Sequence, residues 1–261
     1  MGSISRRDFL QDSALAAAAL ASAGLATNAS AAERAVRKGQ VNDQLRVAVI
    51  GVNGRGMSHV GGFAGNNKHN TLITTICDAD SGVIGPAMKA IEKKQGKVPK
   101  FEQDIRKVVE DKDIDIITIA TPNHWHALAA IWALQNGKDV YVEKPVSHNV
   151  SEGRRIVETA RKYNRICQTG TQSRSSTGLR EAMAFLHEGK LGKIKVARGL
   201  CYKPRGSIGK VSGPQQPPKT CDYDLWCGPA PVKPLMRKRL HYDWHWVWDT
   251  GNGDLGNQGI H

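Results

Sequence analysis

An apolar run, Leu45 to Ile50, breaks into Gly51, Val52, Asn53, Gly54, Arg55 and Gly56 before a helical pattern begins. Glycines at such a corner allow a tight turn and a close backbone approach to a pyrophosphate, and the free amides of the following helix make an anion site. Asn53 stands where a GxGxxG turn has its second glycine; asparagine tolerates left-handed dihedrals, so the turn remains feasible. Asp78, closing the next apolar run, is placed to accept hydrogen bonds from an adenosine ribose, and its charge favours NAD over NADP by repelling a 2'-phosphate. The bland alternative is a tight structural turn; a strand before it, a helix after it and an acid at the next strand end argue for a dinucleotide. The second chemical feature is Lys144, directly after the run Asp139 to Glu143. A lysine closing a buried strand must reach water or serve a ligand. Beside a cationic nicotinamide ring in a partly desolvated cleft its charged form is disfavoured, which eases proton transfer. The competing role is an ion pair with Glu143, although neighbours on a strand face opposite sides.

These residues need a scaffold that gathers strand ends. From Leu45 the chain alternates short apolar runs, at 45–51, 72–78, 114–121, 139–143 and 165–171, with helical patterns at 55–64, 83–94, 124–136, 151–163 and 176–188. Near-continuous apolar strands are expected where helices cover both faces of a parallel sheet. Asn136 and Gly137 stop one helix, Ser151 caps another and Gly189 follows a third. Right-handed crossovers stack such units into an α/β, doubly wound Rossmann sheet with its ligand crevice at the carboxyl ends of the strands.

Further segments make the pattern specific. Thr121, Pro122, Asn123, His124, Trp125 and His126 end the third run, and Glu143, Lys144 and Pro145 end the fourth. With them, the chain from about Leu45 to His261 resembles the Gfo/Idh/MocA family of glucose-fructose oxidoreductase and inositol dehydrogenase relatives. That resemblance implies that Lys144 lies beside the nicotinamide and contacts the reacting hydroxyl, aimed by a cis bond before Pro145. It implies cofactor contacts for Thr121, Asn123, His126 and Glu143 beside Gly51, Asn53, Gly54, Arg55, Gly56 and Asp78; His124 has no counterpart. The turn Gly170 to Arg174 resembles a crevice-lining segment, with Gln172 and Arg174 as substrate contacts and a surface charge as the alternative for Arg174. Asp224 to Pro231 is similar to the family's DLWLGPAP segment. Gly253 to His261 resembles its catalytic turn. His261 matches the histidine that exchanges the hydroxyl proton, and its ordinary pKa suits that exchange near neutrality. Asn257 stands at the usual aspartate position; an amide orients a substrate hydroxyl but is no base, so the proton role falls on His261 and Lys144.

The implied activity is hydride transfer between a nicotinamide cofactor and a hydroxyl carbon of a sugar or polyol. Two alternatives are carried along. One is a redox-assisted glycosidase or lyase without net cofactor turnover, which export favours because free NAD is scarce outside the cytoplasm. The other is a non-catalytic sugar-binding paralogue, motivated by Asn257. Residues 44–175 read as the dinucleotide-binding domain and 176–261 as the start of an α+β substrate-binding domain. Within the latter, Ile194 to Tyr202 reads as a strand, and Trp244, Trp246 and Trp248 alternate so that a strand would put three indoles on one side, for packing or for stacking on sugar. Family members continue with a broad sheet; the sequence therefore reads as a fragment, with poor packing expected from about Ile194 onward and oligomers expected of the full-length protein.

Ser5, Arg6, Arg7, Asp8, Phe9 and Leu10, the Ala-rich stretch to Ala26 and the site Ala29, Ser30, Ala31 look like a twin-arginine export signal over residues 1–31. A mobile lead-in over 32–43 follows. A periplasmic or otherwise exported protein handled by the twin-arginine machinery is expected, with no stable membrane anchor, since the apolar stretch is too short. Lys and Arg outnumber Asp and Glu by 37 to 24, but they are dispersed, without a nucleic-acid motif, so a solvated basic surface is expected and no nucleic acid partner. The five cysteines lack CxxC pairs and zinc spacing, so no metal is expected. Cys77 and Cys167 read as buried thiols, whereas Cys201, Cys221 and Cys227 could pair in an oxidising compartment.

Overall fold

The computed structural model describes residues 44–65, 68–202 and 204–261. The expected export signal and lead-in lie outside the described residues.

Six parallel strands carry the architecture: β1 (Leu45–Ile50), β2 (Thr71–Cys77), β3 (Lys100–Glu102), β4 (Ile116–Ile119), β5 (Asp139–Glu143) and β6 (Cys167–Gly170), in the order β3-β2-β1-β4-β5-β6. The chain starts in the middle, winds outward to β3 and then returns to β4, so the order reverses between β1 and β4 and a crevice opens at their carboxyl ends. The helices are α1 (Gly56–Phe63), α2 (Gly85–Gln95), α3 (Ile105–Glu110), α4 (Asn123–Gln135), α5 (Val150–Lys162), α6 (Thr177–His187), α7 (Tyr223–Cys227) and α8 (Leu240–Asp243).

Strand periodicity divides the core in two. Ala48 and Ile50 of β1 pack with Ile117, Ile119 and the apolar side of α4. Val47 and Val49 face the other way, against Val60 of α1 and Ile91 of α2. Because both faces are covered, β1 ends in four buried residues in succession. Polar ends fit this frame: Asp104 caps α3 through the Arg106 amide, and Gly96, at φ 69°, closes α2.

Several expectations need correction. Five strands are legible in the pattern, but β3 is a three-residue strand, KFE, on the sheet edge beside β2, too short and polar to show a period. The cap of α5 is Asn149, whose side chain accepts from the Glu152 amide, rather than Ser151. Residues 194–202 form no strand and are exposed, because no neighbouring strand pairs with them. The tryptophans do not alternate on a strand either: α8 and a 3-10 turn, Trp244–Trp246, carry the chain there. Trp244 is buried and Trp248 is 91% exposed, so three indoles never share a face. Packing also does not fail uniformly beyond Ile194, since Trp226, Cys227, Leu235, Leu240 and Trp244 form a third buried cluster. Cys77 is buried and Cys167 half-buried, and all five cysteines are free thiols, including Cys201, Cys221 and Cys227.

Candidate active site

A cavity of about 420 Å³ lies at the carboxyl ends of β1, β4 and β5. One wall is the corner after β1. Gly51 (φ 80°) and Gly54 (φ 89°) take the left-handed conformations, and Asn53 does not, so the asparagine substitutes for no strained glycine. A Cβ on Gly51 would sit 2.7 Å from the Ala120 carbonyl, and one on Gly56 only 1.8 Å from the Gly51 oxygen; both positions admit glycine alone. Gly54 meets nothing within 4 Å, so its backbone borders open space. Met57 and Ser58 donate to the carbonyls of Gly54 and Arg55, while the amides of Asn53, Gly54 and Arg55 have no acceptor among the described residues. Those amides, at the start of α1, are suited to a phosphate.

Asp78 supports the corner from β2. Its carboxylate accepts from the Val52 amide at 2.9 Å and from the Asp80 amide at 3.1 Å. Burial pushes its pKa up, against the pull of those two amides. A carboxylate has about four lone-pair sites, so Asp78 retains capacity for a ribose. From β4, Thr121 brings a buried hydroxyl without a partner, next to Asn123 in the same wall.

His126 is differently placed from expectation. It borders the cavity, yet it is 1% exposed, with Nδ1 2.6 Å from the Pro145 carbonyl and Nε2 2.9 Å from that of Thr121. Its one N–H donates to one of these two carbonyls, so it ties the end of β4 to the loop after β5 while bordering the cavity. Burial holds its pKa down.

Glu143 and Lys144 part company at the end of β5. Glu143 is buried and receives Arg55 Nε at 2.8 Å and His59 Nε2 at 3.1 Å. Burial opposes its ionisation, but the bonds to His59 and Arg55 prevail and hold its pKa at about 2. Arg55 and Glu143 therefore latch the glycine corner to β5, although both border the cavity, and His59 is the partner that the sequence did not reveal. Lys144 points the other way: its amine donates to the backbone carbonyl and side-chain oxygen of Asn257. Burial lowers its pKa, while the Glu143 charge acts in the opposite sense. The bond Lys144–Pro145 is cis. His261 also lines the cavity, its pKa lowered by partial burial and by the Lys144 charge.

Gln172 reaches the lining and Arg174 does not; a 3-10 turn over Gln172–Ser175 leaves Arg174 exposed, a correction to the expected substrate contact. Gly56 lies behind the wall, as a packing position. The opposite side comes from residues without a motif: Gln103, His241, Tyr242 and His245. His241 is held at 2.7 Å from Asp80, whose carboxylate also takes the Thr220 hydroxyl. The residues fit a dinucleotide: open space at Gly54, unspent amides and an orphaned hydroxyl accompany a cavity that Lys144 also lines.

Comparison with known proteins agrees with this geometry. Residues 45–171 match the Gfo/Idh/MocA model described as an oxidoreductase family, NAD-binding Rossmann fold, and 190–261 match that family's C-terminal alpha/beta domain. The chain belongs to the Gfo/Idh/MocA oxidoreductase family. Among its relatives, a glycosyl hydrolase family 109 protein of Saccharopolyspora erythraea is 32% identical over 96% of this chain and 52% of its own length. An alpha-N-acetylgalactosaminidase of Shewanella oneidensis is 32% identical over 64% of this chain and 39% of its own. The chain thus spans about half, or less, of the length of these Gfo/Idh/MocA relatives. Of solved structures, a myo-inositol 2-dehydrogenase from Lactobacillus plantarum superposes with a TM-score of 0.51 at 25% identity, over 58% of this chain and 43% of that one. A scyllo-inositol dehydrogenase from Lactobacillus casei, with bound NAD(H) and scyllo-inositol, shares the fold at 22% identity and a TM-score of 0.50, over 57% and 43% of the two chains.

Proposed function

We propose that this chain binds NAD and acts on a hydroxyl-bearing carbon of a sugar or polyol. The observation that carries the proposal is Lys144: it lines the same cavity as the glycine corner, and its amine is shared with Asn257. A nicotinamide dinucleotide, when bound, supplies a hydride acceptor that can also return the hydride. The amides of Asn53, Gly54 and Arg55 hold its phosphates, and Asp78 takes the adenosine ribose, which favours NAD over NADP. Thr121 offers its hydroxyl, and Asn123 lies beside it. The chain's own chemistry is movement of a proton. Lys144, partly stripped of water, contacts the substrate hydroxyl and lends itself to taking the proton; His261, lowered in pKa, is neutral at pH 7 and passes it to solvent. Asn257 and Gln172 orient the substrate. The test is to denature purified full chain and identify released nucleotide by mass spectrometry, then to follow nicotinamide reduction with inositols and hexoses. A chain that neither carries nor binds NAD sinks the proposal.

A second reading has its own support. Relatives at 32% identity are named as glycosyl hydrolase family 109 proteins and as an alpha-N-acetylgalactosaminidase. On this reading a hydride leaves the sugar for a bound nicotinamide and returns to the sugar; between the two the aglycone leaves with a proton and water adds at the freed carbon, so no reduced nicotinamide accumulates. Release of nitrophenol from an α-N-acetylgalactosaminide without added NAD supports it; net nicotinamide reduction by a free sugar opposes it.

The SRRDFL run and the Ala29, Ser30, Ala31 site support export of the protein by the twin-arginine route. Arg6→Lys with Arg7→Lys is expected to retain a tagged chain in the cytoplasmic fraction; unchanged export contradicts the reading.

A further inference from the structure

The proposed function leaves one buried histidine without a task. His124, in the first turn of α4, is 4% exposed, and both ring nitrogens face backbone carbonyls far along the chain: Nε2 lies 3.0 Å from that of Trp226 and Nδ1 3.3 Å from that of Thr250. Its neighbours do the same. Trp125 Nε1 donates to the carbonyls of Leu225 and Trp226, each at 3.1 Å, and Asn123 Oδ1 accepts from the Asn252 amide at 3.3 Å. The indole of Trp226 also rests against the His124 ring, 5.4 Å between centroids. Space for this clasp is built into a partner segment, since a Cβ on Gly228 would lie 2.1 Å from the Trp125 ring.

What the clasp holds gives it consequence. Thr250 begins the segment that carries Asn257 and His261, and Asn257 meets the Lys144 amine. That segment has little regular structure: a short π-helical turn, Leu255–Gly259, is its main element. Fixing such residues costs backbone entropy, so contacts outside the segment must order it. His148 contributes another, with Nε2 3.3 Å from the Gly251 carbonyl and its own carbonyl accepting from Asn252 Nδ2 at 2.8 Å. His124 alone among these side chains sits against both the Trp226 and the Thr250 carbonyls. We propose that His124 is a positioning residue: packed between the Trp226 and Thr250 carbonyls and donating its one N–H to one of them, it fixes the 250–261 segment on the dinucleotide-binding domain and thereby sets Asn257 and His261 against Lys144. The structural clasp stands on these contacts; its effect on turnover rests on the function proposed above.

The test compares amide hydrogen exchange in the full chain, His124→Phe and His124→Gln. Phenylalanine fills the volume and donates nothing, whereas the glutamine amide can still donate to the Trp226 carbonyl. Expected in His124→Phe is exchange at least about tenfold faster across 244–261, with β1 and β4 within about twofold of the parent, and substantial protection regained in His124→Gln. Parent-like exchange over 244–261 in His124→Phe overturns the proposal, and so does equal exchange in the two variants. Where the full chain turns over a sugar, kcat of His124→Phe falls about ten- to a hundredfold while the Kd for NAD from calorimetry stays within about twofold; a fall in NAD affinity that matches the fall in kcat overturns the positioning role. A parent chain that binds no dinucleotide sinks the function proposed above, and the exchange comparison still decides what His124 does.

Discussion

Lys144 and Glu143 show how adjacent residues on one strand end acquire separate duties. Their side chains leave β5 on opposite sides, so Glu143 meets Arg55 and His59 while Lys144 meets Asn257 in the cavity. Lys144→Met keeps the length of the side chain and removes the proton. Turnover is expected to fall about a hundred- to ten-thousandfold, with the calorimetric Kd for NAD changed little; unaltered turnover removes Lys144 from the chemistry. Glu143→Gln removes the charge that Arg55 and His59 face and keeps one acceptor oxygen for them. A loss of about 1–2 kcal/mol is expected in urea unfolding, and a change under about 0.5 kcal/mol contradicts the latch.

At the scale of elements, the corner between β1 and α1 makes the sharpest demands on sequence. Gly56 abuts the Gly51 carbonyl, whereas Gly61, in the same helix, meets nothing within 4 Å. Gly61→Ala is therefore expected to stabilise the chain by about 0.5–1 kcal/mol. Gly56→Ala forces the corner apart and should both lower the melting temperature and abolish NAD binding. Equal melting temperatures for the two variants contradict the placement of the corner. The contrast also separates the helical requirement for alanine from the steric requirement for glycine within one eight-residue helix.

For the whole molecule, buried imidazoles set the response to acid. His124 is held at a pKa of about 4 because burial disfavours its charge, and His126 is shifted in the same direction for the same reason. Between pH 6.5 and 4 the unfolded chain binds protons that the folded chain refuses, so stability is complete above pH 6.5 and falls as pH drops through 4. His124 alone accounts for a loss on the order of 3 kcal/mol. Glu143 adds a further loss below its ordinary pKa, as pH falls from 4.5 towards 2. Urea midpoints should decline steadily from pH 7 to 4, and the decline should shrink in His124→Gln; a flat profile contradicts the burial of these rings.

Local signals were sufficient for the first 130 or so residues after Leu45. Apolar runs, glycine spacing and helix ends fix a parallel sheet because its strands are buried on both faces, which leaves a mark in every strand but β3. The same signals place the glycine corner, Asp78 and Lys144 at strand ends, where the sheet order makes a crevice. Hydrogen-bond partners were not legible, because they depend on residues brought together from distant positions: His59 on Glu143, Asp80 on His241, His124 on Thr250. The region after Ile194 departs from its sequence pattern for a related reason. Its apolar alternation describes what the segment could pair with, and Trp244 finds a helical turn and a buried cluster instead of a strand. Sequence determined the scaffold through patterns that each segment carries alone; tertiary structure decided which polar atoms are spent on backbone and which, like the Thr121 hydroxyl, remain for a ligand, because a buried donor or acceptor is satisfied only by whatever the fold places beside it.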